Sequence, residues 1–167
     1  LTWTTEQAAR EIYLRAFELV VKADTKYGLE YSPLGVMTSF NYVGDRWAGA
    51  SYQLCTGYLR TEWGFEGTVV TDYFGNSAYM FAACAIRAGN DMMLGTIAMS
   101  LGDTSSGDTV YYMQQAAKNI LYTYSRSWNV QTGMNVSSGM QPWEIIALIV
   151  NIVWWIGTAV LAFVAVR

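Results

Sequence analysis

The chain has 167 residues, of which 53% are hydrophobic and 14% are charged, and its net charge is −3. This length fits one ordinary domain and is well short of the roughly 250 residues of a complete eight-stranded α/β barrel. The absence of histidine excludes Ser-His-Asp triads and histidine metal sites, two cysteines cannot form a four-thiolate site, and the acidic balance excludes a strongly basic nucleic-acid binder.

The first predicted element is an amphipathic helix. Residues 4–7 have the spacing of a capping box, and an apolar stripe with helical spacing follows them. Glu11 precedes Arg15, and Glu18 precedes Lys22, by one helical turn in the order that stabilises a helix. The sequence therefore predicts one helix that includes both ion pairs.

The rest of residues 1–126 alternates between short apolar runs and helical segments. The predicted strands are 34–40, 68–71 and 91–94, a turn is predicted at 44–49, and the predicted helices are 51–63, 78–88 and 108–125, the last capped by Asp108. Strands that alternate with helices through short connections indicate a parallel sheet with crossover helices. Three strands are too few to cover both faces of such a sheet, so the pattern predicts a piece of a larger barrel or doubly wound sheet.

The strongest apolar signal lies at the end of the chain. Residues 145–166 contain no charged side chain, and as a helix they would extend about 33 Å, enough to cross a hydrocarbon core of about 30 Å. The polar residues 127–141 are typical of a linker. We therefore predict a transmembrane helix over 142–167, with a buried core helix as the alternative.

Two further features of the sequence are not expected to bind a ligand or to react. Residues 44–51 nearly match a phosphate-binding loop, but Ala50 replaces the lysine that would contact phosphate, so nucleotide binding is not expected. Cys55 and Cys84 fall on predicted helices. Because no histidine can activate a thiolate, we expect both to be small buried side chains.

Asp72 is the carboxylate whose position points to chemistry. It lies where the apolar run 68–71 meets a loop, on the face where α/β barrels carry their catalytic groups. A lone buried carboxylate is costly, so packing explains it poorly; capping of the following helix is the alternative. Asp91 begins a predicted strand and its position indicates a structural role, whereas Glu62 and Glu66 are interpreted as solvated.

Three segments resemble a family 3 glycoside hydrolase of the β-glucosidase type. Residues 36–41 (VMTSFN) are similar to the family's sixth barrel strand, residues 59–73 (LRTEWGFEGTVVTDY) to its most specific motif, and residues 88–94 (AGNDMML) to its eighth strand. The three occur in the family's order and spacing. The resemblance covers roughly residues 5–126 and implies the fold: strands six to eight of a (β/α)8 barrel, as the C-terminal part of the catalytic domain.

The resemblance also implies roles for individual residues. Asp72 matches the family's catalytic nucleophile, and Tyr73 matches the aromatic residue that lines the sugar site. Met37 and Phe40 match residues that approach the same sugar. Family members often have tyrosine at the position of Phe40, so a hydroxyl contact to the sugar would be lost here. No metal or organic cofactor is implied.

Parts of the family's site have no counterpart in this chain. The early-barrel Asp, the Arg and the Lys-His pair that bind sugar would precede Leu1, and the acid/base Glu usually lies on a second domain. Since residues 1–126 continue into a linker and an apolar helix, the chain resembles the family subset in which the barrel follows the second domain. The upstream part of the same polypeptide would then supply the acid/base.

We therefore expect the C-terminal part of a membrane-anchored retaining β-glycosidase, which hydrolyses a β-linked glucoside or oligosaccharide through Asp72 and binds no nucleic acid. Residues 145–166 would cross the membrane once, with the catalytic part outside the cytoplasm. The alternative is a non-catalytic, membrane-tethered barrel remnant that binds sugars or serves as a scaffold. The sequence upstream of Leu1 distinguishes the two.

Overall fold

A computed structural model describes residues 2–23, 32–74, 79–96, 99–133 and 142–166. In chain order these residues form helix α1 (Glu6–Ala8), a π-helical turn (Ala9–Tyr13), helix α2 (Arg15–Val21), strands β1 (Gly35–Met37), β2 (Tyr42–Val43) and β3 (Arg46–Trp47), a 3-10 turn (Ala48–Ala50), a π-helix (Gln53–Glu62), strand β4 (Thr68–Val70), and helices α3 (Ala82–Ala88), α4 (Gly107–Ser125), α5 (Trp128–Gln131) and α6 (Pro142–Val166). This order confirms the prediction of a mixed α/β chain.

Two of the predicted strands form a parallel pair. β1 and β4 run in register from Gly35 opposite Thr68 to Met37 opposite Val70. Both strands are shorter than the apolar runs that predict them. Val69, at the centre of β4, is completely buried, as expected for a parallel strand that is covered on both faces.

The third predicted strand, at residues 91–94, is wrong as a full strand. A single parallel bridge joins Met92 to Val70. Before that bridge, an oxygen of the Asp91 carboxylate accepts a hydrogen bond from the N–H of Val69 at 2.7 Å. Because a side chain takes the place of a backbone carbonyl there, the ladder is interrupted where the strand is predicted to begin.

The first predicted helix is present but divided into three parts. Thr5 caps its start by accepting a hydrogen bond from the N–H of Ala8 at 3.1 Å. The predicted pair of Glu18 and Lys22 is confirmed at 2.9 Å. The predicted pair of Glu11 and Arg15 is wrong, because Arg15 contacts Glu18 at 2.6 Å instead.

The predicted turn at 44–49 is a β-hairpin followed by a 3-10 turn. β2 and β3 pair antiparallel around Gly44, which has φ of 66°. That conformation favours glycine, because a Cβ atom would be strained there. The hairpin directs Trp47 inward, where its side chain is almost completely buried.

Glycine and serine set the bounds of the later helices. The helix predicted at 78–88 is observed only over Ala82–Ala88 (α3), because residues 79–81 precede it with Phe81 as the extended N-cap; Ala78 lies outside the described residues. Gly89 ends α3 with φ of 112°, the left-handed conformation common after a helix. The start of α4 corrects the prediction, because Ser106 caps it by accepting from the N–H of Thr109, and Asp108 lies inside its first turn.

Two apolar clusters hold the described part of residues 1–126 together. One surrounds Trp47 and includes Phe74, Met80, Ala82 and Ala85. The other packs Val21, Leu59 and Phe65 against Val69 of β4. Cys55 is buried as predicted, but Cys84 is exposed, so the prediction for Cys84 is wrong.

The end of the chain is a long apolar helix. Within α6, Pro142–Val164 is long and apolar enough to cross a membrane by length and composition, with a mean hydropathy of 2.3. None of it is buried against the rest of the described chain, whereas a core helix would be. The predicted linker contains the short helix α5, while residues 134–141 and the terminal Arg167 lie outside the described residues.

Candidate functional site

The candidate site lies at the carboxyl ends of the two paired strands. Met37 is the last residue of β1, and Asp72 follows β4 by two residues. Because the strands are parallel and Met37 pairs with Val70, these residues lie at the same edge of the sheet. That edge is where α/β folds bind ligands.

The Asp72 carboxylate is half-buried and has little internal bonding. One of its oxygens accepts a hydrogen bond from the N–H of Tyr73 at 2.7 Å. Within the part of the chain that the structure describes, this is the one hydrogen bond of the Asp72 side chain. Asp72 begins none of the described helices. Among the described residues, one oxygen of the carboxylate is held and the other has no hydrogen-bond donor.

The three other predicted site residues present apolar surface at this edge. Met37 is 57% exposed, Phe40 is 42% exposed and Tyr73 is 43% exposed. The Tyr73 hydroxyl forms a hydrogen bond with Thr96 at 3.1 Å, which ties it to the segment that follows Met92. Exposed rings at the edge of a sheet suit packing against the apolar face of a sugar. The structure therefore places the predicted residues at one edge of the sheet.

Asp91 has a different environment, because its carboxylate is fully used inside the protein. Its side chain is 2% exposed and lies 2.6 Å from the guanidinium of Arg60. Besides the N–H of Val69, the amide of Asn119 donates to it at 2.8 Å. Burial raises the pKa of Asp91, and the Arg60 charge and the donated hydrogen bonds oppose that rise. The bonding indicates a structural role, as its position predicts, but through a buried ion pair.

The two flanking glutamates do not join the site. Glu62 ends the π-helix and forms a two-fold ion pair with Arg10, with distances of 2.6 and 2.9 Å. Those hydrogen bonds hold the pKa of Glu62 below its usual range. Glu62 and Glu66 are both exposed, as interpreted, and Glu62 is in addition held in this ion pair.

Sequence reasoning misses three residues that organise this region: Arg60, Trp47 and Asn90. Arg60 lies in the specific motif 59–73, and its ion pair with Asp91 joins residues 31 positions apart. The sequence does contain one sign of this pair. Asp91 begins an apolar run, and a buried carboxylate requires a cation or several hydrogen-bond donors. Trp47 and Asn90 are buried at 2% and 1% exposure.

The described residues contain no group of three His, Cys, Asp or Glu side chains that could hold a metal ion. Both cysteines are free. Burial raises the pKa of the Cys55 thiol to about 11, so this side chain stays protonated at neutral pH and is a poor nucleophile.

Comparison with known sequences identifies similar proteins. The family model described as "Glycosyl hydrolase family 3 N terminal domain" matches residues 3–125. β-Glucosidase A from Butyrivibrio fibrisolvens is 42% identical over 91 residues, which are 54% of this chain and 10% of that protein. The chain spans about a tenth of the length of the curated relatives it matches first.

Solved structures give the same result. A β-glucosidase from Paenibacillus barengoltzii superposes with a TM-score of 0.63 and 29% identity, covering 83% of this chain and 16% of that chain. β-Glucosidase 3B from Thermotoga neapolitana, solved in complex with glucose, has a TM-score of 0.59 and 26% identity, covering 78% of this chain and 19% of that chain. The likeness therefore extends over most of this chain and a small part of each neighbour.

Proposed function

Since the chain belongs to glycosyl hydrolase family 3, we propose that it is the part of a retaining β-glycosidase that carries the catalytic nucleophile, Asp72. The proposed substrate is a β-linked glucoside or oligosaccharide, in keeping with relatives that are β-glucosidases and with a structural neighbour that was solved with glucose. Met37, Phe40 and Tyr73 are proposed to contact the sugar.

One observation carries the choice of nucleophile. The Asp72 carboxylate is half-buried at the carboxyl end of β4 and, within the described ranges of the chain, is held by a single N–H, from Tyr73. Asp91, on the neighbouring segment, has both oxygens bonded inside the protein. Of these two aspartates, only Asp72 can approach a substrate without first losing an ion pair.

The proposed reaction proceeds in two displacements. An oxygen of Asp72 attacks the anomeric carbon, the glycosidic C–O bond breaks, and the acid/base residue donates a proton to the departing oxygen. The same acid/base then removes a proton from water, which attacks the anomeric carbon and releases the Asp72 carboxylate. The N–H of Tyr73 orients the carboxylate for attack. Retaining enzymes hold their two carboxyl groups about 5–5.5 Å apart.

The remainder of the catalytic domain is proposed to lie upstream. The family match and the parallel order of β1, β4 and Met92 support assigning these segments to strands six to eight of a (β/α)8 barrel. Residues 1–126 then form the C-terminal part of the barrel, and the upstream part of the polypeptide supplies the first five strands and the acid/base.

A membrane anchor is also part of the proposal. Residues 127–141 would act as a linker, and 142–167 would form a single transmembrane helix that crosses the bilayer through residues 145–166. The length and hydropathy of α6 support this assignment. The catalytic part would lie outside the cytoplasm, with Arg167 on the cytoplasmic side.

The direct test is hydrolysis of an aryl β-glucoside by the full-length protein and by its Asp72→Asn variant. The amide nearly matches the carboxylate in shape but is a far poorer nucleophile, so turnover should fall by several orders of magnitude. The matched control is Glu66→Gln, an equivalent change at an exposed position, which should retain turnover. A parent protein that binds glucosides but does not hydrolyse them would favour the non-catalytic alternative.

A further inference from the structure

Residues 38–41 connect β1 to the hairpin and include the predicted sugar contact Phe40. The carbonyl of Ser39 accepts from the indole N–H of Trp47 at 2.9 Å, and the carbonyl of Phe40 accepts from the hydroxyl of Tyr79 at 3.1 Å. The carbonyl of Asn41 accepts from the N–H of Ala48 at 3.0 Å. Three consecutive carbonyls of this exposed segment therefore accept hydrogen bonds from other parts of the chain, and these bonds fix its backbone.

Trp47 is the buried anchor of this arrangement. Its side chain is 2% exposed, and its ring packs edge-on against Phe74, with ring centroids 5.7 Å apart. Tyr79, the donor to Phe40, also packs edge-on against it at 6.4 Å. Packing in the cluster fixes the orientation of the indole, and with it the direction of the N–H that reaches Ser39.

Asn90 connects the same segment to the 3-10 turn that follows the hairpin. Its amide donates to the carbonyl of Gly49 at 2.6 Å, and its carbonyl accepts from the hydroxyl of Thr38 at 2.9 Å. It also donates to the carbonyl of Ala85, in the middle of α3, at 3.1 Å. Asn90 is 1% exposed, and these bonds satisfy a polar group that would be costly to bury alone.

The two anchors form one closed unit. Asn90 joins Thr38 to Gly49, Gly49 packs against the Trp47 ring, and Trp47 returns to Ser39. A Cβ atom at Gly49 would overlap the Trp47 ring, so any side chain there would displace the indole. Movement of the hairpin would therefore move the segment that carries Phe40.

We propose that Trp47 and Asn90 are positioning residues, which fix the backbone of 38–41 so that Phe40 is presented to the sugar at the strand edge. This inference rests on the proposed glycosidase function. The inference assigns a role to residues 44–51, the segment that begins at Gly44 and lacks the lysine of a phosphate-binding loop. Neither residue is proposed to touch the substrate, and their effect on catalysis passes through Phe40.

Two variants of the full-length protein test the inference through separate bonds. Trp47→Phe keeps an aromatic ring against Phe74 but removes the donor to Ser39. Thr38→Val keeps the shape of the side chain but removes the donor to Asn90. Each loses one hydrogen bond, so KM for an aryl β-glucoside should rise about three- to tenfold, with a smaller change in kcat. Thr38→Ser, which retains the hydroxyl, should restore KM toward that of the parent.

A matched control separates positioning from loss of stability. Phe65→Leu reduces packing in the cluster around Val69, which does not include Trp47, and removes no hydrogen bond to residues 38–41. It should lower the temperature of thermal unfolding and leave KM of the folded enzyme unchanged. If Trp47→Phe and Thr38→Val also lower only the unfolding temperature, the positioning role is wrong. If the parent itself has no glycosidase activity, the proposed function fails instead.

Discussion

The guanidinium of Arg60 lies 2.6 Å from the carboxylate of Asp91, whose side chain is 2% exposed. Arg60 also donates to the carbonyls of Gly67 and Gly89, each at 3.1 Å. One partly buried cation thus joins the segments that enter β4 and the Met92 bridge. The pair fixes the start of the sheet, while Asp72 stays available at its opposite end.

Removal of one member of this buried pair should destabilise the protein. Asp91→Asn leaves Arg60 without its counter-ion, and breaking a buried ion pair in this way costs about 3–5 kcal/mol. The temperature of thermal unfolding of the full-length protein should fall markedly. Asp108→Asn is the control, because it breaks the exposed pair with Arg87, at 2.7 Å, which contributes little. Equal effects of the two variants would contradict the assignment of Asp91 to the core.

The sequence predicts the elements that depend on local pattern and misses those that depend on distant partners. The apolar runs that contain β1 and β4 are found from composition, because a buried parallel strand is apolar throughout. The run at 91–94 has the same composition. Its strand is interrupted at its start, where an oxygen of the Asp91 carboxylate accepts from the N–H of Val69 and is also paired with Arg60, which lies 31 residues away in sequence.

The candidate site shows the same division. Motifs in the sequence identify Asp72, Tyr73, Met37 and Phe40, and strand register places them at one edge. The hydrogen bonds from Trp47 and Asn90 to residues 38–41 join separate segments, so no residue pattern within one segment predicts them. Serine and aspartate both cap helices well, so residue type alone does not distinguish Ser106 from Asp108 as the cap of α4.

The two cysteines should differ in reactivity. Cys84 is exposed and Cys55 is buried, and burial raises the pKa of Cys55 to about 11. Iodoacetamide at about pH 8 should therefore modify Cys84 and spare Cys55 in the folded protein, since the thiolate is the nucleophile. Peptide mass spectrometry measures both, and denaturation should make Cys55 reactive. Rapid native labelling of Cys55 would contradict its burial.

The raised pKa of Cys55 also predicts a dependence of stability on pH. The folded protein binds the thiol proton more tightly than the unfolded chain, whose thiol has a pKa of about 8.5. This contribution to stability is complete below about pH 8.5 and is lost as pH rises toward 11. Unfolding temperatures measured across this range should fall less steeply in Cys55→Ala. Parallel curves would contradict the prediction.

A variant of this chain that ends at residue 141 should aggregate or remain molten in isolation. Ile12, Phe17 and Val20 are 57–67% exposed on α2 and the π-helical turn before it, and Leu121 and Tyr124 are each 65% exposed on α4. Exposed apolar faces of this kind require a partner, which the upstream strands and helices are proposed to supply. Light scattering and binding of a hydrophobic dye measure the outcome. A monomer with a sharp cooperative unfolding transition would show that residues 1–141 are self-sufficient.

The apolar helix should retain the protein in the membrane. The full chain should partition with membranes and require detergent for extraction, whereas the variant that ends at residue 141 should not. Protease added to intact cells should cleave residues 1–126, because they are proposed to lie outside. Release of the full chain without detergent would refute the span, and protection until lysis would refute the orientation.

The central claim is that Asp72 forms the covalent bond to the sugar. A 2-deoxy-2-fluoro glucoside with a good leaving group slows breakdown of the glycosyl-enzyme, so the trapped residue can be found by peptide mass spectrometry of the full-length protein. The label should lie on Asp72 in the parent and be absent in Asp72→Asn. A label on Asp91, or on any other residue while Asp72 stays free, would contradict this account.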